Sequence, residues 1–371
     1  MRVFITGGAG FIGRSVVRQL RSRGDEVTGV VRDPTRGGLG AEGAVALPGD
    51  LSDVATIAGQ LAGHDAVIHL VGSYRIGIRP EERRPMWEAN VGATQRVLKA
   101  AVQAGVPRIV YVSTVNVFGN TRGRMVDETF VRDPRDGFVS WYDETKWQAH
   151  LIAVGHVDVG DPVVIAMPGG VYGPGDHTQI GVQLHAAYNG KLRYRAVDDV
   201  GLTLAHVDDI AAGILSVMDR GRVAEGYVLA GPAHRIREAI RMAAELGGHR
   251  PPFLAVPTLA LRLLAPLADR LSAQTRARLG LPDNLHEVVS ASAGVTYWAR
   301  ADKARRELGF APRDLRTGLN DWLVRPPKPT TEAAATEAAT DADGAPDVGA
   351  GAAPDAGAAA DASAAADGDP N

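Results

Sequence analysis

The sequence predicts an α/β protein with a doubly wound parallel sheet. Three observations predict it. A β-rich apolar run at residues 2–6 leads directly into glycines, and apolar residues at helical spacing follow at residues 11–20. Strand-like and helix-like segments then alternate along the first half of the chain. Such alternation is typical of parallel strands that lie side by side with helices on both faces of the sheet.

The predicted elements follow one another at the short spacing of an α/β unit. Gly24 is a helix stop, and Gly105 closes a second helix. Strands are predicted at residues 2–6, 26–31, 66–71, 108–113, 162–166, 203–206 and 226–230. Helices are predicted at residues 11–20, 85–104, 142–153, 208–219, 236–246 and 258–271. The pattern becomes less regular beyond residue 175, and there is no internal repeat.

A glycine-rich turn joins the first strand to the first helix. It reads Gly7-Gly8-Ala9-Gly10-Phe11-Ile12-Gly13. Glycine at such a turn lets the backbone approach a dinucleotide pyrophosphate, and the helix N-terminus supplies amide donors. A glycine string alone can be a structural loop, but this strand-and-helix context favours a Rossmann-type cofactor site. The candidate cofactor-binding residues in it are Gly7, Gly10, Phe11, Ile12 and Gly13.

The end of the second strand discriminates between the two nicotinamide cofactors. A carboxylate there binds the ribose 2′-hydroxyl, whereas an arginine accommodates a 2′-phosphate. Arg32, with help from Arg36, favours NADP. Asp33 is a carboxylate beside Arg32 and complicates this choice of cofactor. NAD is the alternative, in which case Arg32 is a solvated loop cation.

Composition indicates a packed enzyme. Hydrophobic residues make up 45% of the 371 residues and charged residues 22%. The chain has no cysteine, which excludes disulfides, thiolate metal sites and cysteine nucleophiles. Residues 326–371 carry nine carboxylates and one lysine, so residues 1–325 have a net charge of +5. This modest positive charge suits an anionic cofactor but is too small to indicate nucleic-acid binding.

No membrane span is expected. The longest apolar tract, residues 253–271, is interrupted by Pro257, Arg262, Pro266 and Asp269. It predicts a buried or lid helix, with an interfacial membrane helix as the alternative. The N-terminus runs straight into a strand without the features of a signal peptide, so a cytoplasmic location is expected.

Three regions are predicted. Residues 1–172 form a Rossmann core that binds NAD(P). Residues 173–325 form a smaller, mainly substrate-binding region, from which residues 203–232 return to the core. Residues 326–371 are rich in Ala, Asp and Pro and almost lack large apolar side chains, which predicts a disordered acidic tail.

The motifs in this order resemble the extended short-chain dehydrogenase/reductase family, also called the NAD-dependent epimerase/dehydratase family. Besides the glycine turn, they are Gly49-Asp50-Leu51, His69-Leu70, Asn90-Val91-Gly92-Ala93-Thr94, Ser113-Thr114, Val117-Phe118-Gly119, Tyr142-Asp143-Glu144-Thr145-Lys146, Tyr172-Gly173-Pro174-Gly175, His206-Val207-Asp208-Asp209 and Glu307-Leu308-Gly309-Phe310. The resemblance implies that Asp50 and Leu51 lie by the adenine and that Leu70 and Val71 line the cofactor cleft. It also implies that Asn90 supports the site.

Tyr142 and Lys146 are the candidate acid/base pair. Residues four apart on a helix share one face, and a neighbouring ammonium is expected to lower the pKa of the phenol. A bare Tyr-x-x-x-Lys is usually a surface pair, but here it follows the glycine turn. The resemblance implies that Lys146 also holds the nicotinamide ribose. It further implies that Thr114, with Ser113 as the alternative, donates a hydrogen bond to the substrate oxygen.

The motifs favour hydride transfer on a small molecule. Val115 and Asn116 stand where related dehydratases carry Asp-Glu, which disfavours dehydration. Nucleotide-sugar epimerases typically carry arginines before the proline at 168 and before the His206 motif. Here Met167 and residues 201–205 stand at those places, although Arg193 and Arg195 could contact phosphate. The closest resemblance is to the dihydroflavonol-reductase-like and hopanoid-associated branches.

The sequence therefore predicts an NADP-dependent carbonyl reductase or alcohol dehydrogenase. A nucleotide-sugar epimerase with bound NAD is the first alternative. The second is a non-catalytic NAD(P)-sensing regulator, which would be expected to have lost Tyr142 or Lys146. Substrate contacts are expected from residues 73–87 and 175–195 and from the region after His234, with Tyr74, Trp87 and His177 as candidates.

Two further expectations concern metals and partners. His206, Asp208 and Asp209 have no second histidine at ligand spacing, so no metal is expected. The family resemblance also suggests a homodimer formed through the helices at about residues 86–104 and 141–153.

Overall fold

A computed structural model describes residues 1–32, 39–40, 42–279 and 281–325. The predictions for Asp33, Arg36 and the acidic tail at residues 326–371 concern parts of the chain outside the described residues.

The described residues contain strands and helices in alternation. The strands are β1 (Arg2–Thr6), β2 (Glu26–Val31), β3 (Val45–Pro48), β4 (Ala66–His69), β5 (Ile109–Val112), β6 (Val163–Pro168), β7 (Gly170–Tyr172), β8 (Gly201–His206), β9 (Gly226–Leu229), β10 (Ala233–Arg235) and β11 (Thr296–Tyr297). The helices are α1 (Phe11–Ser22), α2 (Val54–Leu61), α3 (Pro80–Trp87), α4 (Ala93–Gln103), α5 (Trp141–Asp158), α6 (Gln179–Tyr188), α7 (Val207–Arg220), α8 (Ile236–Leu246), α9 (Thr258–Ala268), α10 (Ala273–Arg278), α11 (Leu285–Ser292), α12 (Asp302–Leu308) and α13 (Leu315–Leu319).

Seven parallel strands form the central sheet, in the order β3-β2-β1-β4-β5-β6-β9. Its inner strands are buried along their whole length in β4, β5 and β6, which is the pattern of a sheet covered on both faces. Helix α1 contacts α7 in one layer, and α4 contacts α2 and α5 in the other. The doubly wound parallel fold predicted from the sequence is confirmed.

The strand order reverses between β1 and β4, which lie side by side although two strands and two helices separate them in the chain. Ligands of open α/β sheets bind at such a switch point, outside the carboxyl ends of the strands. The ends of β1 and β4 carry Thr6 and His69, and the Leu70 N–H donates to the Thr6 carbonyl at 3.0 Å. The fold therefore places the glycine turn and the segment after His69 at the same cleft.

A second, smaller sheet and core follow β6. In it β8 pairs with β7, β10 and β11, and helices α6 and α8 pack together beside it. A separate apolar cluster that includes Tyr172, Leu184, Ile240 and Trp322 fills this part of the molecule. The chain then returns to the central sheet through α7 and β9, because α7 packs on α1 and β9 pairs with β6.

The helix predicted at residues 85–104 begins earlier and is interrupted. It starts at Pro80, and a π-helical turn at Glu88–Gly92 separates α3 from α4. Pro80 is the better first residue because Glu81 and Glu82 favour the positive end of a helix, and Glu82 accepts from the Arg79 N–H at 3.0 Å. Pro85 lies within α3 instead of starting it.

The central strand β4 should dominate the stability of the core. Ile68 is completely buried, so Ile68→Ala removes packed methyl groups and leaves a cavity, at an expected cost of about 3 kcal/mol in unfolding free energy. Urea denaturation followed by circular dichroism measures this loss. Val45→Ala on the exposed edge strand β3 is the control and should change stability by less than about 0.5 kcal/mol. Equal losses in the two variants would contradict this assignment of the core.

Candidate active site

The glycine turn lies against the chain that follows β4. Gly7 has a φ of +77°, and a Cβ placed on it would be 2.9 Å from the Val71 nitrogen. A Cβ on Gly13 would be 2.1 Å from the Gly7 carbonyl oxygen. A side chain on Gly7 would push the turn away from the segment after β4, and a side chain on Gly13 would push α1 away from the turn. These two glycines are therefore required by close backbone approach as well as by backbone conformation.

The start of α1 forms a cradle for an anion. Gly10 precedes Phe11, the first residue of the helix, and has no side chain to occupy the amides of the first turn. The first N–H groups of a helix lack intrahelical acceptors and carry the positive end of the helix dipole. Leu70 and Val71 lie against the same turn at Gly7. The arrangement fits a dinucleotide whose pyrophosphate rests on the turn.

Arg32 and Asp50 follow adjacent strands at the edge of this cleft. Arg32 follows β2 directly, and the Gly49 N–H donates to the Val31 carbonyl at 3.0 Å. Asp50 is exposed, and hydrogen bonds from the Ser52 hydroxyl and amide lower its pKa. The Leu51 carbonyl accepts from Arg96 of α4 at 2.5 Å, which fixes the loop after β3.

Tyr142, Lys146 and Thr114 come together at the end of β5. Ser140 caps α5 by accepting from the Asp143 N–H at 3.1 Å, so Tyr142 and Lys146 lie one turn apart on the buried face of this helix. Thr114 follows β5 and is buried. Burial raises the pKa of Tyr142, and the nearby Thr114 hydroxyl lowers it by a smaller amount, which places the two hydroxyl groups close together. The Ser113 hydroxyl instead lies 3.0 Å from His150 Nδ1.

The expected fall in the pKa of Tyr142 is not seen. Burial raises it well above its ordinary value, and neighbouring Tyr74 and Asp143 act in the same direction. The expectation weighed only the charge of Lys146, whereas removing a phenolate from water is the larger effect in this structure. Tyr142 is therefore held as a neutral phenol, which can donate a proton.

Lys146 lies in an environment that destabilises its charge. Burial lowers the pKa of its ammonium to about 8. Its Nζ donates to the Val112 carbonyl at 3.4 Å and lies 5.5 Å from the centre of the Tyr111 ring. A Cβ placed on Gly72 would be 3.8 Å from the same Nζ, so the loop after β4 passes close to Lys146.

Asn90 ties that loop to α5. Its Oδ1 accepts from the Ser73 N–H at 2.6 Å, and its Nδ2 donates to the Ser73 carbonyl at 3.1 Å and to the Thr145 hydroxyl at 2.8 Å. The Thr145 hydroxyl in turn donates to the Tyr142 carbonyl at 2.9 Å. Asn90 sits in the π-helical turn between α3 and α4, which directs its side chain to both partners.

A buried carboxylate behind the site was missed by the sequence analysis. Asp143 accepts from Asn116 Nδ2 and from the Tyr297 hydroxyl, both at 3.1 Å, and Asn116 Oδ1 accepts from the Thr114 hydroxyl at 3.3 Å. Burial raises the pKa of Asp143 to about 6. The chain of bonds connects Tyr297, near the end of the described chain, to Thr114.

Apolar side chains surround the Tyr142 phenol. The Tyr74 ring meets the Tyr142 ring edge to face at 4.7 Å, and Ile78 and Met86 pack with Tyr142 in one cluster. Trp87 lies beside Trp141, and His177 is exposed after β7. Of the three suggested substrate contacts, the structure brings Tyr74 directly onto Tyr142.

Glu287 of α11 closes one side of this wall, and no local sequence signal marked it. One oxygen of its carboxylate accepts from the Gly77 N–H at 3.1 Å, and the other accepts from the Trp141 N–H at 2.6 Å. The Glu287 carboxylate therefore binds both the loop that carries Tyr74 and Gly77 and the first residue of α5. Helix α11 is thus fixed directly to the helix that carries Tyr142.

The motif at residues 206–209 holds the fold together. His206 caps α7 by accepting from the Asp208 N–H, and Asp208 accepts from Ser15 of α1 at 2.5 Å. Asp209 makes a two-pronged ion pair with Arg313. Among the described residues no group of three His, Asp or Glu side chains has the arrangement of a metal site.

The chain is similar to a known protein family and to curated proteins along most of its length. Residues 3–230 match the model of the NAD dependent epimerase/dehydratase family. Sterol demethylase protein B of Methylococcus capsulatus is 27% identical over 331 residues, which cover 87% of this chain and 98% of that protein. The 4-hydroxy-2-methyl-3-oxo-4-farnesyl-3,4-dihydroquinoline-1-oxide ketoreductase of Stigmatella aurantiaca is 31% identical over 318 residues, covering 84% of this chain and 92% of that protein.

A solved structure with a bound cofactor is also similar. It is a double mutant of the dTDP-glucose 4,6-dehydratase of Streptomyces venezuelae with NAD bound. The TM-score is 0.69 at 25% identity, and the match covers 88% of this chain and 96% of that one. In the described part of this chain, no helix combines the length and apolar character needed to cross a membrane.

The raised pKa of Asp143 predicts a specific pH dependence of stability. Because the folded protein binds this proton more tightly than the unfolded chain, the stabilisation is present below pH 3.8 and is lost as the pH rises through about 6. Asp143→Asn lacks this titration. The unfolding free energy of the variant minus that of the wild type should therefore rise between pH 4 and pH 7, by on the order of 3 kcal/mol. Urea unfolding at several pH values measures it, and a pH-independent difference would contradict the prediction.

Proposed function

Since the chain belongs to the NAD dependent epimerase/dehydratase family and is an NAD(P)-dependent oxidoreductase of the extended short-chain dehydrogenase/reductase type, we propose that it is an NADP-dependent carbonyl reductase or alcohol dehydrogenase. The family resemblance predicted from the motifs is confirmed. The observation that carries the proposed activity is the buried, neutral Tyr142 beside Thr114, within apolar walls. A neutral phenol is the form needed to protonate a carbonyl oxygen as it becomes an alcohol.

Each proposed site residue has a distinct task in reduction. A nicotinamide held in the cofactor cradle would supply hydride from C4. With substrate bound, the Thr114 hydroxyl donates to the carbonyl oxygen in place of Asn116 Oδ1, and Tyr142 donates its proton to that oxygen as the carbinol forms. Lys146, whose pKa of about 8 lies near neutral pH, returns a proton toward the phenolate and holds the nicotinamide ribose. In alcohol oxidation the same proton path runs in reverse.

The cofactor cradle supports the proposed binding residues. Gly7, Gly10 and the first residues of α1, Phe11, Ile12 and Gly13, hold the pyrophosphate in this proposal. Asp50 and Leu51 lie at the adenine end, while Leu70 and Val71 line the cleft toward Lys146. The placement of Leu70 and Val71 beside Gly7 and of Asp50 beside the end of β2 supports this arrangement.

The wall around Tyr142 favours a largely apolar substrate. Ile76, Ile78, Met86 and Trp141 supply hydrocarbon or aromatic surface around the phenol. Such a wall desolvates an apolar ketone or alcohol without leaving buried polar groups unpaired. Two relatives are named for a sterol demethylase and for a ketoreductase of a farnesylated quinoline oxide, which agrees with this substrate class.

A nucleotide-sugar epimerase with bound NAD is the second candidate. The similarity to a sugar-nucleotide dehydratase with NAD favours it. Against it, Arg195 is already paired with Asp198 at 2.8 Å. Dehydration lacks its acid/base pair, because the two positions after Thr114 hold Val115 and Asn116, and neither side chain can exchange a proton at neutral pH. A non-catalytic NAD(P) sensor is less well supported, since Thr114, Tyr142 and Lys146 are all retained. Dimerisation through α4 and α5 stays a prediction.

Tyr142→Phe tests the proposed chemistry. Removing the proton donor should lower kcat by at least about 100-fold with little change in cofactor affinity. NADPH consumption is measured over a panel of bulky ketones and aldehydes, beside a panel of nucleotide sugars. The control is Tyr227→Phe on β9, the edge strand of the central sheet. It removes a phenol hydroxyl that donates to Glu307, and it should retain turnover. Turnover of only the sugar panel, or wild-type activity of Tyr142→Phe, would refute the proposal.

Arg32→Asp tests the proposed preference for NADP. A charge-assisted contact to a 2′-phosphate is worth enough for kcat/KM with NADPH to fall by about 10- to 100-fold, while kcat/KM with NADH stays the same or rises. Arg241→Asp on the exposed face of α8 changes the same net charge and should leave the ratio unaltered. A wild-type preference for NADH would show that Arg32 does not select the cofactor.

A further inference from the structure

Large apolar side chains are exposed on one segment of the molecule. Leu259, Leu263 and Leu267 lie on the outer face of α9, with exposed fractions of 57–69%. Phe253, at 94%, and Leu254 are also exposed and lie shortly before the helix in the chain. We call these five residues the apolar ridge. Contiguous exposed apolar surface on a folded protein usually marks an interaction site.

The ridge belongs to a helix that is firmly seated. The opposite face of α9 packs on α11 through Leu261 and Ala265. Arg262 donates to the Ala293 carbonyl at 2.9 Å, and the Asp269 carboxylate accepts from the Leu285 N–H at 2.7 Å. The leucines of the ridge are therefore left on the outside by a helix whose other face already has its partner.

The charges beside the ridge are almost all positive. Residues 250–279 contain five arginines, Arg250, Arg262, Arg270, Arg276 and Arg278, and a single carboxylate, Asp269. That carboxylate is occupied by the backbone amides of Leu285 and His286. An apolar helix face flanked by arginines is typical of helices that lie in a lipid interface. The four exposed arginines, Arg250, Arg262, Arg270 and Arg278, would meet anionic headgroups while the leucines enter the acyl boundary. Arg276 is largely buried and lies 3.8 Å from Asp283, so it takes no part.

Two other occupants fit less well. A second copy of the chain placed face to face would set the four exposed arginines of one copy against the same four of the other, because a two-fold interface uses the same surface twice. Residues 326–371 carry nine carboxylates but only one large apolar side chain, Val348, so they could neutralise charge without covering the leucines. An anionic lipid surface complements both the charge and the apolar character.

We propose that the apolar ridge docks the protein on the surface of an anionic membrane. The helix lies in the interface and does not cross the bilayer. Docking would occur beside the site, because α11, on which α9 packs, carries Glu287, and Glu287 binds the first residue of α5 and the Gly77 N–H. The inference concerns binding alone and does not depend on the proposed reaction.

Site-specific fluorescence gives a direct test, because the chain has no cysteine. Leu263→Cys in the full chain is labelled with an environment-sensitive fluorophore and mixed with vesicles of equal parts phosphatidylcholine and phosphatidylglycerol. A blue shift is expected with these vesicles, and little change with pure phosphatidylcholine. Val131→Cys, at an exposed position away from the ridge, is the labelled control and should show no shift. No shift at Leu263, or equal shifts at both positions, would overturn the proposal.

Sedimentation with the same vesicles tests the ridge without a label. The triple variant L259S/L263S/L267S should bind at least about 10-fold more weakly than the wild type. The control V45S/V131S/V159S changes three exposed valines elsewhere and should bind like the wild type. Light scattering measures the molar mass of the wild type and of the ridge variant, and so shows whether a second copy of the chain occupies the ridge. Unchanged binding, or conversion of a wild-type dimer to a monomer without a change in lipid binding, would overturn the proposal.

Discussion

The site depends on the contact between the glycine turn and the chain that leaves β4. The Gly7 position leaves no room for a Cβ beside Val71, and Gly13 leaves none beside the Gly7 carbonyl. This close approach brings the N-terminus of α1 to the switch point of the sheet, where β1 and β4 adjoin. Bulkier residues would separate the anion cradle from the loop that runs past Lys146.

Burial then determines how the ionisable groups behave. It lowers the pKa of Lys146, raises that of Asp143 and keeps Tyr142 neutral. One cause therefore acts in opposite directions on cationic and acidic groups, favouring the uncharged form of each. Burial also lowers the pKa of His69 to about 3, which keeps the imidazole neutral between the hydroxyls of Thr6 and Thr94. Burial therefore shifts all four of these groups toward their uncharged forms.

The sequence predicted the elements whose patterns are local. Strand β2 and helix α8 were predicted at their observed bounds, and the glycine turn was placed between β1 and α1. Strand β3 and helix α2 were missed, because β3 is a four-residue edge strand and α2 has only eight residues. Periodicity over such short runs does not separate helix from strand.

The residues missed at the site were missed for a different reason. Asp143 is recognisable as buried only once Tyr297 is known to reach it from 154 residues away, and Glu287 meets Trp141 across 146 residues. Such long-range partners have no local pattern. The prediction that the pKa of Tyr142 falls was wrong for a related reason. The four-residue spacing in the sequence shows that Lys146 is near, but it does not show that the phenol is buried.

Glu287 joins the two halves of the molecule at the point where chemistry is proposed. Its two oxygens accept backbone N–H groups from the Tyr74 loop and from the start of α5, so movement of α11 must stretch one bond or the other. Helix α9 packs on α11, and the apolar ridge lies on the far side of α9. Only helix α11 and the Glu287 carboxylate therefore separate α9, which carries the ridge, from the helix that carries Tyr142.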